Sequence, residues 1–148
     1  MKYRVFLAIA LLILFLFPLP AWAANQNQIV KLQNTRRCQS CDLTGAYLPI
    51  KKLDYIYLLD ADLSNANLTG ASMIFSNLSR ATLTGANLKY VNFQHTKMLL
   101  TNFDNAIFDQ TNLTEADLTS SNISESQLAK AKLCKTTLPN GLISNRDC

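Results

Sequence analysis

Few residues in this 148-residue chain are of a type that could do chemistry. Four are cysteines: Cys38 and Cys41 lie close together, while Cys134 and Cys148 bracket the C-terminal tail. Thiols so spaced could hold one zinc ion, form a dithiol redox centre, or pair as disulfides. The single histidine, His95, has no Ser or Cys nucleophile placed beside it by anything but the rhythm of the sequence. Asp62 and Asp117 also belong to that rhythm, so any pairing of carboxylates would follow from register, without burial to shift them. Asn67-Leu68-Thr69, Asn77-Leu78-Ser79 and Asn112-Leu113-Thr114 match a glycosylation acceptor, but the same rhythm generates that string automatically. Catalysis therefore finds no support in the residues. The chemistry of the cysteines depends on how far apart the intervening elements hold the two pairs.

Those elements keep a period of five. From Leu43 to Leu138, twenty positions spaced by five are all large and apolar: fourteen Leu, with Met73, Phe93, Met98, Phe103, Phe108 and Ile123. Two residues before each centre, Ala, Ser, Thr or Cys fills seventeen of the twenty slots, and Lys51, Ile56 and Val91 are the exceptions. On an α-helix, five residues rotate by roughly 500°, so such positions never form a stripe. In a flat strand an odd step flips the side chain to the other face. A chain that bends once per five residues avoids both failures. The central residue and the small one then point inward, and the three outward positions are rich in Asn, Asp, Ser, Thr and Gly, which suit turns. Successive coils pair through their backbones, giving an all-β solenoid stabilised by neighbour contacts. The expected inward core is Leu43, Leu48, Leu63, Leu68, Leu83, Leu88, Phe93, Phe103, Phe108, Leu113 and Leu118. Each such centre should contribute roughly 1.5–3 kcal/mol; these residues are packing, not a cofactor box.

The copies Ala61-Asp62-Leu63-Ser64-Asn65, Ala66-Asn67-Leu68-Thr69-Gly70 and Ala86-Asn87-Leu88-Lys89-Tyr90 resemble the pentapeptide repeat family, whose pattern is Ala-(Asp/Asn)-Leu-x-x. The resemblance covers residues 41–138 and implies a right-handed quadrilateral β-helix with four pentapeptides per coil and about five coils. At a strand spacing of about 4.8 Å, that is a rod roughly 24 Å long. The expected organisation is a cleaved signal peptide (1–23), an N-terminal cap segment with a short helix (24–40), the β-helix (41–138) and a C-terminal capping tail (139–148).

The leader carries Lys2 and Arg4, an unbroken apolar run from Val5 to Phe17, Pro18 and Pro20, and then Ala21-Trp22-Ala23. A membrane-spanning helix needs about twenty apolar residues, so this run reads as a signal peptide with Ala24 as the mature N-terminus. With no Cys near the cleavage point, no lipoprotein is indicated. Export to an oxidising compartment bears on the cysteines. The two pairs lie about 20 Å apart at opposite ends of the rod, too far for one zinc site, and the βαβ setting of a thioredoxin-like centre is absent. Two local disulfides are expected, Cys38 with Cys41 and Cys134 with Cys148. The second closes a loop worth about 3 kcal/mol in chain entropy. It should fold the tail back over the last coil, with Pro139-Asn140-Gly141 as a turn and Leu142 and Ile143 as apolar contacts. The stretches 131–141 and 144–148, and the Cys-x-x-Cys-Asp-Leu entry at 38–43, resemble exported members of the family from photosynthetic bacteria. That resemblance implies the periplasm or the thylakoid lumen.

Surface features follow from the same count. In the cap segment, Ile29, Val30 and Leu32 could share one side of a helix capped by Asn25 or Asn27, with Arg36 and Arg37 at its C-terminal dipole. The first coil is irregular: Tyr47, Ile50, Tyr55, Tyr57 and Leu59 take outward slots, and Lys51 in an inward slot predicts a bulge. Residues twenty apart stack, which places Tyr55, Phe75 and His95 in one outward column with Tyr90 near the neighbouring corner. These four are the candidate interaction surface; a ladder of rings that merely stabilises the coil is the plainer reading. Asp60 over Arg80 and Lys97 over Asp117 are expected salt-bridge rungs, each worth under about 1 kcal/mol.

Three function classes are open to such a rod. The first is a non-catalytic structural or binding module that meets a protein partner in the cell envelope. The second is the DNA mimicry that some cytosolic members of the family direct at DNA gyrase, which needs a strongly negative rod. Residues 41–133 hold seven Lys and Arg against nine Asp and Glu, 7 − 9 = −2, and the leader opposes a cytosolic address. The third, an enzyme, has no residue in its favour. No cofactor is expected, no Lys/Arg stripe offers a nucleic-acid footprint, and no membrane contact is expected after signal cleavage.

Overall fold

The computed structural model describes residues 26–148. The signal-peptide reading, the Ala24 terminus and the Asn25 cap lie outside those residues.

The bend that the period of five demands is made by one backbone choice. The residue two beyond each central leucine is left-handed: Ile50, Tyr55, Asp60, Asn65, Phe75, Arg80, Tyr90 and His95 all have φ between 53° and 60°. A backbone bond then closes the corner on many sides, as from Ala66 N to Leu63 O and from Ala86 N to Leu83 O, each 3.0 Å. This is a four-residue turn with positive φ at its third position, the type II arrangement. Left-handed geometry costs a non-glycine residue roughly 1–2 kcal/mol. The stacked coils offset it, because the same residues donate to the next coil, as Tyr55 N does to Ile74 O at 2.9 Å. The outward Asn or Asp before each centre adds a local brace. Asn67 Oδ1 accepts from Thr69 N at 3.1 Å, Asn77 Oδ1 from Ser79 N at 2.9 Å and Asp117 Oδ1 from Thr119 N at 3.0 Å.

Parallel bridges join residues twenty apart, so four five-residue sides make one coil. One side runs unbroken through Arg37, Tyr57, Asn77, Lys97, Asp117 and Thr137. Its first bridge, at Arg37, lies ahead of the expected boundary at 41. The eleven named core positions are all buried, and Phe103 meets Phe108 edge to face at 5.2 Å. Where Thr replaces Ala in the small inward slot, its hydroxyl donates to the carbonyl of the residue 23 earlier. Thr96 bonds Met73 O at 2.7 Å, Thr111 bonds Leu88 O at 2.8 Å and Thr136 bonds Leu113 O at 2.7 Å.

Several expectations change. There is no bulge at Lys51: Ser72 N donates to Lys51 O at 2.9 Å and Lys52 bridges Ser72 in normal register. The side chain instead turns out to solvent, because its long stem carries the ammonium clear without moving the backbone. The ladder is interrupted elsewhere, by a one-turn helix where the count of five continues unbroken in the sequence. Here Ser124 caps the helix Glu125–Leu128 (α2) in a reciprocal capping box with Gln127. Gln127 Nε2 then donates to Phe103 O and Ala106 O at 2.8 and 2.9 Å, replacing the missing strand's bonds. Leu128 is consequently only partly buried.

At the N-terminal end, the helix Gln26–Thr35 (α1) buries Ile29 and Leu32. Val30 does not share that side and is 51% exposed, since one residue's step rotates it about 100° from Ile29. Arg36 ends the helix in the left-handed region, and its guanidinium serves the first coil, donating to Lys52 O and Asp54 O, instead of the helix's own carbonyls. At the other end, Thr136–Thr137 (β1) pairs antiparallel with Ile143–Ser144 (β2). Leu142 and Ile143 are exposed, not packed on the last coil, because the tail pairs edge-on through its backbone. Cys38 is bonded to Cys41 and Cys134 to Cys148.

Candidate interaction surface

The turn geometry decides which side chains stand proud. A residue at the left-handed position occupies the corner of its coil, and its equivalents twenty residues on occupy the same corner. One corner carries Tyr55, Phe75, His95, Glu115 and Lys135, each with φ between 52° and 59°. Tyr55 stacks on Phe75 with centroids 5.4 Å apart and planes 11° apart; Phe75 stacks on His95 at 4.4 Å and 4°. These distances match the coil spacing, so the rings lie face to face along the rod, and only their edges are offered outward. The column then changes character. His95 Nδ1 lies 3.1 Å from Glu115 Oε2, and Lys135 Nζ lies 3.8 Å from Glu115 Oε1. The sequence reading stopped the column at His95; Glu115 and Lys135 continue the same step of twenty and were legible by it.

Tyr90 takes no part in these stacks. It sits on the neighbouring corner, which carries Ile50, Gly70 and Tyr90, and is 54% exposed. Gly70 holds that corner at φ 69°, with Ile50 Cγ1 within ordinary contact of where a Cβ would stand, at 3.5 Å. The two corners flank one face of the rod, the side that bears Lys52, Ser72, Asn92 and Asn112.

Of the two expected salt-bridge rungs, one forms. Arg80 holds Asp60 through two bonds, Nε to Oδ1 at 2.7 Å and Nη2 to Oδ2 at 2.9 Å. The Arg80 hydrogen bond holds the Asp60 carboxyl below the usual carboxylate range, and Asp60 in turn raises Arg80. Among the described residues no ion pair joins Lys97 to Asp117. Asp117 Oδ1 is instead engaged by Thr119, through its N at 3.0 Å and its Oγ1 at 2.6 Å. A partner two residues away on the same turn costs less side-chain entropy than a lysine from another coil.

The geometry thus defines a β-solenoid with one pentapeptide per side and a packed apolar axis. Pentapeptide repeats match residues 58–98 and 100–138 in eight copies, and the chain belongs to that family. No curated protein matches its sequence. Among solved structures, it is similar to HetL, a pentapeptide repeat protein involved in heterocyst differentiation regulation from the cyanobacterium Nostoc. The two share 24% identity over 73% of this chain and 53% of HetL, with a TM-score of 0.61, so the chain spans about half of HetL's length. A second Nostoc pentapeptide repeat protein is 19% identical over 72% of this chain and 93% of its own, with a TM-score of 0.44. One from the Arabidopsis thaliana thylakoid lumen is 23% identical over 74% and 87%, with a TM-score of 0.30. The likeness to HetL is one of fold, the right-handed quadrilateral β-helix of this family.

Proposed function

We propose that this chain is an exported, non-catalytic pentapeptide repeat protein that receives a protein partner in the cell envelope, either the periplasm or the thylakoid lumen. The observation that carries the reading is the ring column Tyr55–Phe75–His95, exposed at Tyr55 and Phe75 and held on a backbone whose corners are fixed by coil-to-coil hydrogen bonds. Aromatic side chains offer large contact area at low entropic cost, and here the stack has already restricted the rings before binding. Tyr90, across the shared face, supplies a second contact. The apolar leader and the two disulfides favour export.

The test is affinity capture from the native envelope fraction, using Tyr55→Ala, Phe75→Ala and Tyr90→Ala variants singly. Capture of the partner should fall at least tenfold for Phe75→Ala, the ring stacked on both sides, with the thermal midpoint little changed. Capture that survives all three substitutions would show the column to be structural only.

A further inference from the structure

We propose that the N-terminal end of the rod docks on an anionic lipid bilayer surface. Charge is not spread evenly along the molecule. Residues 26–56 carry five cations, Lys31, Arg36, Arg37, Lys51 and Lys52, against Asp42 and Asp54, so 5 − 2 = +3. Residues 57–128 carry three cations against seven carboxylates, 3 − 7 = −4. None of the five N-terminal cations enters an ion pair among the described residues. The two carboxylates nearby are already engaged: Asp42 accepts from Thr44 N, and Asp54 accepts from Ser72 Oγ and Ile74 N.

The same end carries the most exposed of the rod's large apolar side chains. Ile50 is 83% exposed, and Tyr47 and Tyr55 are 70% exposed each. Val30 and Lys31 lie on the solvent side of α1, opposite the buried Ile29 and Leu32, and so face outward from the rod's end. Cations beside aromatic and aliphatic side chains are what an anionic headgroup layer accommodates: the charges meet phosphates while the apolar groups enter the acyl boundary. An acidic protein with an apolar patch would compete for the same groups, and the vesicle test separates that occupant from a bilayer. The opposite end also has a positive balance and exposed Leu142 and Ile143, but two of its cations sit in ion pairs, whereas Arg36 at the N-terminal end donates only to the carbonyls of Lys52 and Asp54 and keeps its charge unpaired. Lys135 pairs with Glu115, and Arg146 binds Asp147 and the carbonyls of Leu128 and Ala131. Bilayer docking departs from the sequence expectation of no membrane contact. It does not rest on the proposed protein partner.

The test is co-sedimentation of the chain, recovered from an exporting host, with vesicles of phosphatidylcholine alone or with about one-third phosphatidylglycerol. Binding should appear only with phosphatidylglycerol and be released by about 0.5 M NaCl. Lys51→Gln with Lys52→Gln should weaken it about fivefold per charge removed, and Ile50→Ser should weaken it without changing the salt dependence. Lys130→Gln with Lys132→Gln, at the far end, should leave it intact. These five side chains are exposed, so unchanged circular dichroism and thermal midpoint separate lost binding from lost fold. Equal binding to both vesicles, no binding to either, or equal loss from the far-end pair would each overturn the proposal. Capture of an acidic protein through Lys51 and Lys52 without vesicle binding would assign the surface to a protein instead. Tyr55, which also belongs to the ring column, is left unchanged, so failure here does not touch the partner reading.

Discussion

Asp60 and Arg80 show how a side chain gains meaning only from the residue one coil away. Their two hydrogen bonds lower the Asp60 carboxyl from its ordinary value, with the Arg80 bond the largest cause. A carboxyl whose folded pKa lies below its unfolded one contributes fully above the unfolded value of about 3.9, and the contribution fades as pH falls through the folded value. An NMR titration should therefore place the Asp60 midpoint below that of a free aspartate, and Arg80→Ala should return it upward. An unmoved midpoint would show the pair to be incidental. Ser121 makes the complementary point. It fills a small inward slot as Thr96, Thr101, Thr111 and Thr136 do, yet its buried hydroxyl has no partner. Removing an unsatisfied buried hydroxyl relieves a desolvation penalty. Ser121→Ala should raise the unfolding free energy by about 1 kcal/mol in urea titration.

At the scale of elements, the corners do the work that strands and helices do elsewhere. Each side contributes only one bridged residue, so no side is stable alone, and each corner needs a left-handed residue that its neighbours hold in place. The ends lack such neighbours and are secured differently. α1 covers one, while α2, Gln127, the Arg146–Asp147 pair and the β1–β2 hairpin satisfy the backbone at the other. The Cys134–Cys148 bond, with a separation of 14 residues, ties that second arrangement to the final coil. Replacing both cysteines by serine should cost about 3 kcal/mol in urea unfolding, with loss of hydrogen-exchange protection beginning at Leu133, whose N–H is held by Asp147. A loss spread uniformly over the rod would contradict a local tether.

The whole molecule is a rod with a negative middle and positive ends, and its surfaces are corners, faces and two tips. A quasi-one-dimensional fold keeps these surfaces separable, since each coil contacts only its neighbours. A partner on the Tyr55–Phe75–His95 corner and a bilayer at the α1 tip can therefore be tested by different substitutions in one protein. Among the described residues the axis is filled by Leu63, Leu83, Phe103 and their equivalents and leaves no enclosed centre.

The five-residue period alone determined the inward leucines, because a chain bent once per pentapeptide turns every fifth side chain to the axis; the coil of twenty, and with it Tyr55 over Phe75, needed the family resemblance and is fixed by the bridges between residues twenty apart. The tertiary structure decided what periodicity does not encode. A lysine stem at position 51 could escape without breaking register, and the Ser124 capping box overrode a repeat that was faultless by count. Asp117 chose a partner on its own turn over Lys97. The cations and apolar residues between positions 30 and 55 came to the same end of the rod only when α1 and the first coil formed there. Spacing fixes which residues share a column; competition among local hydrogen bonds, solvent and chain ends settles what each residue does there.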